Sequence, residues 1–334
     1  MIVLQSTDGS LVRKLHRANH KVKILLYQDA LLSSVNDPHG FTTCTQNVQG
    51  ALVSNPGWFV RDLLGRPIGS GLYQGYYVMN VASPTYEAAC VGHAIAQAEQ
   101  SGFDGIFMDG VTAWAGWTFP PGVTAPLFPT PAVWQQAMTP FVSYLGSQAH
   151  AHGLLAFANI GGARIAPGLW QRWTSLLDGS EEESWTDGGQ GLADQILDWP
   201  AKLANVAWSE AHHKYALLHS YDTTAAGNEY GLASMLLVAR GYSSYCTSNR
   251  SYAKPGVWRG VYVTAERLGA PAGAYRRLGN GVYVRRFAHG IVLVNPTAGS
   301  VARFSLSGRY ELADRAVRSA TMAPTSGLIL LKAH

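Results

Sequence analysis

Two acidic elements in this 334-residue sequence combine residue types and settings suited to acid–base chemistry. The first is Gly102-Phe-Asp-Gly-Ile-Phe-Met-Asp-Gly110, an apolar run that ends on Asp109. A carboxylate at the end of a buried strand costs stability unless it is paired or used. Asp109 therefore reads as a functional acid, set against the structural reading of an Asx turn capping the next loop. The second element is Leu176-Leu-Asp-Gly-Ser-Glu-Glu-Glu-Ser-Trp185. Adjacent carboxylates raise one another's pKa, which suits a proton donor working near neutrality. The structural reading of that triplet is a solvated acidic loop. Alternation along an extended segment would aim Glu181 and Glu183 to one side and Glu182 to the other. A carboxylate pair among Trp and Tyr residues is the equipment of glycosidic bond hydrolysis. One acid attacks or stabilises an oxocarbenium-like centre while the other protonates the leaving oxygen.

Other polar and aromatic residues fall where strands are expected to end. Tyr27, Gln28 and Asp29 close one apolar run, Asn80 and Asn159 close two others, and His219, Tyr221 and Asp222 close a fourth. Each can hydrogen-bond a sugar hydroxyl, or equally satisfy backbone at the rim of a sheet. Trp114, Trp117 and Trp185 offer flat faces against which sugar C–H groups stack. A hydrophobic lid on the rim is the competing reading for each tryptophan. Asp104, at the opposite end of its strand from Asp109, is expected to be structural. His212 and His213 are expected at the surface.

These residues need a scaffold that brings strand ends together. Short apolar runs at Ile2–Gln5, Lys23–Gln28, Tyr76–Asn80, Gly105–Asp109, Leu154–Ile160, Ser175–Asp178, Tyr215–Ser220 and Tyr242–Cys246 alternate with helical segments. Eight such runs predict an α/β fold, a (β/α)8 TIM barrel over residues 1–254. An open doubly wound sheet is the alternative, but no Gly-x-Gly-x-x-Gly follows the first strand. Ser83-Pro84 and Thr130-Pro131 start helices, Gly102 and Gly153 stop them, and Pro140 is expected to kink the second. Val133, Trp134, Met138, Phe141, Val142 and Leu145 form one apolar face of that helix and are expected to pack on the barrel. Residues 29–76 and 110–129 are long loops on the face where barrel enzymes keep their sites. After about Pro255 the pattern changes to paired strands, including two around Ala288-His-Gly290. This predicts a small antiparallel β domain over 255–334.

Composition narrows the classes. The chain is 47% hydrophobic but only 14% charged, which excludes disorder and coiled coils. A formal net charge of +4 without long basic runs argues against nucleic-acid and membrane partners. No apolar run reaches the roughly 18 residues of a membrane span. Cys44, Cys90 and Cys246 lack zinc-site spacing, so no metal or organic cofactor is expected. Three reduced thiols are the default, with a Cys44–Cys90 bridge and a buried free Cys246 as the alternative. Met1–Gln5 read as a strand with no export signal. Low charge and high aromatic content nevertheless suit a secreted or periplasmic hydrolase in a full-length form.

The sequence resembles the bacterial glycoside-hydrolase-like (β/α)8 family called hypothetical glycosyl hydrolase family fifteen. The matching text is Leu25-Leu-Tyr-Gln28, then Pro56-Gly-Trp-Phe59 with Gly65, then Gly102–Gly110. It continues with Leu177-Asp-Gly179 followed by Glu183, and closes with Val282-Tyr-Val-Arg-Arg-Phe-Ala-His-Gly-Ile-Val-Leu-Val-Asn-Pro296. The chain is more distantly similar to endo-α-1,4-polygalactosaminidases, whose sixth strand also ends in an Asn/Asp-Gly step with a Glu about four residues on. That similarity favours Asp109 and Glu183, not Glu181 or Glu182. The expected roles are Asp109 as nucleophile or electrostatic stabiliser and Glu183 as general acid/base, with Glu182 as its substitute. The crowding of three glutamates leaves the choice among them open. A barrel that binds carbohydrate without turning it over is the rival expectation.

Overall fold

The computed structural model describes residues 1–186, 192–249, 260–299, 301–312 and 315–333, which form two compact units, Met1–Glu181 and Glu182–His334. The expected domain boundary at 254/255 lies outside the described residues.

The first unit alternates strands and helices: β1 (Ile2–Leu4), α1 (Gly9–Ala18), β2 (Ile24–Asp29), β3 (Leu32–Ser34), α2 (Val48–Ser54), β4 (Tyr76–Val78), α3 (Pro84–Ser101), β5 (Gly105–Thr112), α4 (Pro131–Ala151), β6 (Leu155–Gly161), α5 (Leu169–Thr174) and the first three residues of β7 (Gly179–Glu183). β1, β2, β5, β6 and β7 pair in parallel in that order. Ile24, Leu25 and Leu26 in β2 are fully buried, as are Ile106 and Met108 in β5 and Ala156, Phe157 and Ala158 in β6. Burial of consecutive residues is the mark of strands covered on both faces.

The helices start where their sequences say. The Ser83 and Thr130 side chains cap α3 and α4 by accepting from the Tyr86 and Val133 amides, each with Pro in the first turn. Val133, expected on the apolar face of α4, is corrected to a first-turn residue that is 36% exposed, whereas Trp134, Met138, Phe141, Val142 and Leu145 are fully buried. Each contributes about 1.5–3 kcal/mol through that burial. The Trp134 indole N–H also donates to the Thr112 carbonyl at 2.8 Å, which ties α4 to the end of β5.

Carboxylates at the amino ends of strands are structural, as expected for Asp104. Its Oδ2 accepts from the Ile24 amide at 2.9 Å and lies 2.8 Å from His16 Nε2, while its Oδ1 takes the Lys23 ammonium at 3.0 Å. Asp178 repeats the device one strand pair further on. Its Oδ2 accepts from the Ala156 amide at 2.8 Å and lies 2.8 Å from His150 Nε2.

Two expected strands are corrected. Tyr76–Val78 does form a strand, but it pairs antiparallel with β3 instead of joining the parallel ladder. The loop 29–76 therefore folds back as a small sheet of its own, so local alternation reads the strand but not its partner. The run Ser175–Asp178 is a turn leaving α5, with the Ser175, Leu176 and Leu177 amides donating to Gln171, Trp173 and Thr174. The strand is the next segment, Gly179–Glu183. Leu177 is fully buried in that turn, and a short apolar run cannot by itself distinguish a helix exit from a strand.

The thiols depart from their default. Cys44 and Cys90 are disulfide-bonded, joining the segment before α2 to α3. Cys246 is exposed, not buried.

The second unit contains α6 (Leu192–Ala211), β8 (Tyr215–Ser220), α7 (Ala225–Leu236), β9 (Ser243–Thr247) and α8 (Gly260–Glu266), followed by β10 (Arg276–Arg277), β11 (Tyr283–Arg286), β12 (Gly290–Asn295), β13 (Val301–Leu312), β14 (Arg315–Met322) and β15 (Ser326–Leu331). β8 and β9 are parallel. β10, β11, β12 and β15 make an antiparallel sheet, and β13 with β14 an antiparallel pair. Val284, Ile291, Leu293, Tyr310, Ala320, Met322 and Leu330 share one core between these strands. The expected antiparallel C-terminal elements are thus present.

Candidate active site

Asp109 lies within β5, which runs on to Thr112. Parallel pairing puts Tyr27 and Asp29 beside it on β2 and Asn159 on β6. The Tyr27 hydroxyl donates to Asp109 Oδ2 at 2.6 Å, and the Asn159 amide donates to Oδ1 at 3.1 Å. The Gly110 amide reaches Oδ1 at 2.7 Å. Donors from both neighbouring strands thus hold one carboxylate at the carboxyl end of the ladder. Tyr27 is itself stacked on Phe107, with ring centroids 6.2 Å apart.

Asp29 is the direct cross-strand partner of Asp109. Its Oδ1 accepts from the Leu31 and Leu32 amides at 2.8 and 3.0 Å. Burial, and then the charge of Asp109, push its pKa up to about 8 against the pull of those two amides. Gly110 permits this crowding. It adopts φ +76°, and a Cβ there would lie 2.7 Å from Asp29 Oδ1 and 2.5 Å from Leu31 Cβ.

The remaining candidates of the first unit divide by exposure. Gln28 is fully buried, and its amide donates to the Gly40 and Phe41 carbonyls and to Gln97 Oε1. That corrects its reading as a sugar ligand: its amide anchors the loop after β3. Asn80 is half-buried and spends its side chain on the Gly57 carbonyl and the Ala82 amide, which makes it a turn residue. Trp114 is half-buried against Phe119 at 6.1 Å. Trp117 is 47% exposed. Its ring rests on Gly162, where a Cβ would come within 2.2 Å of it and φ is +70°.

In the second unit, Glu183 accepts a hydrogen bond from the Tyr221 hydroxyl. Tyr221 stands edge-on to the His219 ring at 4.7 Å. His219 is buried, with Nε2 2.8 Å from Ser248 Oγ. Burial pushes its imidazole below the ordinary value, with Glu183 pulling the other way. Glu182 instead forms an ion pair with Lys202 of α6 at 3.3 Å, both side chains nearly buried. Burial raises its pKa, opposed chiefly by Lys202. The strand alternation separates these neighbours: Glu182 meets a helix cation, Glu183 a strand-end tyrosine. Glu181 sits opposite Asn159 in the β6–β7 register.

Trp185 is corrected as a stacking platform. It is 1% exposed, and its indole N–H donates to the Gly231 carbonyl at 3.0 Å. Asp222 accepts from the Thr224 amide at 2.7 Å and begins the turn into α7. Lys202 was not legible as a partner of the acidic triplet, since it lies 20 residues downstream on a separate helix. Among the described residues no group of three or more His, Cys, Asp or Glu is placed to hold a metal ion. No described helix is long and apolar enough to cross a membrane.

Residues 16–291 match the sequence model of the hypothetical glycosyl hydrolase family 15. The chain belongs to this family. No curated protein matches the sequence. Among solved structures, the fold is similar to a noncanonic maltogenic α-amylase AmyB from Thermotoga neapolitana. The TM-score is 0.54 and the identity 12%, over 97% of this chain and 80% of that one. Eubacterium rectale Amy13B is similar at TM-score 0.53 and 9% identity, over 98% and 81%. Aspergillus fumigatus Ega3, crystallised with galactosamine, matches at TM-score 0.46 and 16% identity, over 76% and 85%. The fold of this family member is accordingly the α/β, TIM-barrel type of the amylases, with antiparallel sheets added at the C-terminus.

Proposed function

We propose that this member of family 15 is a glycoside hydrolase acting on an oligo- or polysaccharide, with Asp109 as nucleophile or electrostatic stabiliser and Glu183 as general acid/base. The observation that carries the reading is the cradle of Asp109. Side chains from the strands on both sides, Tyr27 and Asn159, donate to a carboxylate at the carboxyl end of the β2–β5 ladder. A carboxylate oriented in this way suits a group that must face developing positive charge at an anomeric carbon. Glu183 is favoured over Glu182 as proton donor because Glu182 is committed to Lys202. Half-buried Trp114 and exposed Trp117 supply apolar faces for sugar rings.

The test is digestion of a glycan panel with products analysed by mass and NMR, repeated with Asp109→Asn and Glu183→Gln. Release of product by the native chain, and loss of most turnover in both variants with the fold intact, is the expected result. Saccharide binding without product from the native chain would instead make this a binding barrel.

The chain is further proposed to work outside the reducing cytosol, in a secreted or periplasmic setting. The Cys44–Cys90 bridge supports this, since such bonds persist in oxidising compartments.

A further inference from the structure

The chain leaving β7 is pinned one residue after another. The Trp185 amide donates to the His219 carbonyl at 2.8 Å, and its indole N–H to the Gly231 carbonyl at 3.0 Å. The Thr186 amide and hydroxyl both meet Ser220 Oγ, at 3.2 and 2.9 Å. Between these anchors and the end of β7 at Glu183 stands Ser184, which adopts φ +72°. Among the described residues, only Asn47, His213 and Thr325 share a positive φ without being glycine. The left-handed region costs such a residue stability, so this turn needs a reason.

The Ser184 carbonyl accepts a hydrogen bond from the Lys202 ammonium of α6. The same ammonium lies 3.3 Å from Glu182 Oε1. One cation thus grips the residue before Glu183 by its side chain and the residue after it by its backbone. The Lys202 and Glu182 side chains are only 14% and 12% exposed, so water and salt screen the pair little. Neither device is a good source of stability. A buried ion pair carries a desolvation cost that apolar side chains of similar volume avoid, and a left-handed serine adds backbone strain. What the two achieve together is geometric. They bracket one residue, whose side chain the strand alternation sends away from Glu182 and toward the Tyr221 hydroxyl. Tyr221 is itself placed edge-on to His219 at 4.7 Å, and His219 Nε2 lies 2.8 Å from Ser248 Oγ.

We propose that Lys202 is a positioning residue for Glu183: by gripping Glu182 and the Ser184 carbonyl, it fixes the backbone on both sides and holds the Glu183 carboxyl against Tyr221. A proton donor must lie within hydrogen-bond reach of the leaving oxygen, and a misplacement of about 1 Å costs up to about a hundredfold in rate. That Glu183 uses its placement to donate a proton rests on the glycoside hydrolase reading. The placement itself is read without turnover.

The test is carbon-13 NMR of the full chain labelled at tyrosine Cζ, with the Tyr221 resonance assigned by Tyr221→Phe. Glu183→Gln replaces the carboxyl that Tyr221 bonds and is expected to move that resonance. Glu182→Gln/Lys202→Met removes the clamp without stranding either charge, and circular dichroism confirms its fold. It is expected to displace or broaden the Tyr221 resonance as well. A resonance left at its native position in the folded double variant would overturn the inference. Ser184→Gly keeps the carbonyl and enters the left-handed region freely, so it is expected to leave the resonance in place. Movement there would assign the effect to the serine hydroxyl and overturn the clamp. With a sugar identified by the glycan panel, the double variant is expected to lose about tenfold or more in kcat/KM on the glycan. On the dinitrophenyl glycoside of the same sugar, whose leaving group departs without a proton, it is expected to lose less than about threefold. Equal losses on both substrates would reduce Lys202 to a structural residue. Full turnover in Glu183→Gln would sink the proton-donor reading alone, since the Tyr221 resonance judges Lys202 independently.

Discussion

Asp29 and Asp109 face each other as the last pair of the parallel β2–β5 ladder, two carboxyl groups held as direct cross-strand partners. Like charges so placed destabilise each other unless one is neutral. Burial, and then the charge of Asp109, push Asp29 up to about 8. Asp29 is therefore a protonated acid at neutral pH. The folded chain keeps a proton on Asp29 that the unfolded chain releases near the ordinary value of 3.8. Stability linked to this group is complete below that value, falls as pH rises, and is gone once pH passes about 8. Asp29→Asn cannot lose the proton and retains an oxygen for the Leu31 and Leu32 amides. Urea unfolding at pH 5 and pH 8 is expected to show the native chain losing stability relative to this variant across that interval. Parallel behaviour of the two proteins would remove Asp29 as a buried neutral acid.

Tyr27→Phe deletes the 2.6 Å hydrogen bond to Asp109 while leaving the ring stacked on Phe107. A hydrogen bond to a charged group contributes roughly 1.5–3 kcal/mol, so turnover is expected to fall about ten- to a hundredfold. Asn159→Ala is expected to act in the same direction by removing the Oδ1 donor. Steady-state kinetics on a substrate found in the glycan panel reads both, and unchanged kcat/KM in Tyr27→Phe would dissociate the cradle from catalysis.

Glu182 and Glu183 are neighbours in sequence with opposite expected phenotypes. Lys202→Met strands the nearly buried Glu182 carboxylate, and breaking such a pair from one side costs about 3 kcal/mol. Removing both charges with Glu182→Gln/Lys202→Met is expected to recover part of that loss. Glu183→Gln is expected to leave the melting temperature close to native and abolish turnover. A double-mutant cycle by denaturant titration, with activity measured alongside, separates the two roles.

The Cys44–Cys90 bond closes a loop spanning a sequence separation of 46. Loop-closure entropy of that length stabilises the fold by about 4 kcal/mol. The bridged segment also carries backbone bonds to Asp29, with the Asp29 amide donating to Thr42 at 2.9 Å and the Cys44 amide to Asp29 at 3.2 Å. Cys44→Ser/Cys90→Ser is expected to lower the melting temperature and to lower activity together. Thermal unfolding with and without dithiothreitol checks the stability half, and a melting point indifferent to reduction would contradict it.

Arg285 is 4% exposed and acts as a buried cap. Its bonds to the Leu236, Ala239 and Gly273 carbonyls join β11 to the end of α7 and to the strand approach. Arg285→Met is expected to cost about 3 kcal/mol by leaving those carbonyls unpaired. Denaturant titration against the native chain reads the loss, and an unchanged midpoint would contradict it.

Local pattern was enough for the alternation of strands and helices, the caps at Ser83 and Thr130, the buried stripe of α4, the structural role of Asp104 and the paired strands after residue 280. Each follows from neighbours a few residues apart, where side-chain periodicity and capping chemistry act directly. The family was legible for the same reason, through short runs such as Gly102–Gly110. Partnership across distant segments was not. That Tyr76–Val78 pairs with Leu32–Ser34, that Cys44 meets Cys90, that Lys202 claims Glu182 and that Asp29 lies beside Asp109 are all outcomes of packing. The same holds for Trp185 and Gln28, whose polar atoms could have met a ligand but are consumed by nearby backbone. Residue type sets what a side chain can bond to, and only the packed chain decides which of its possible partners comes within reach.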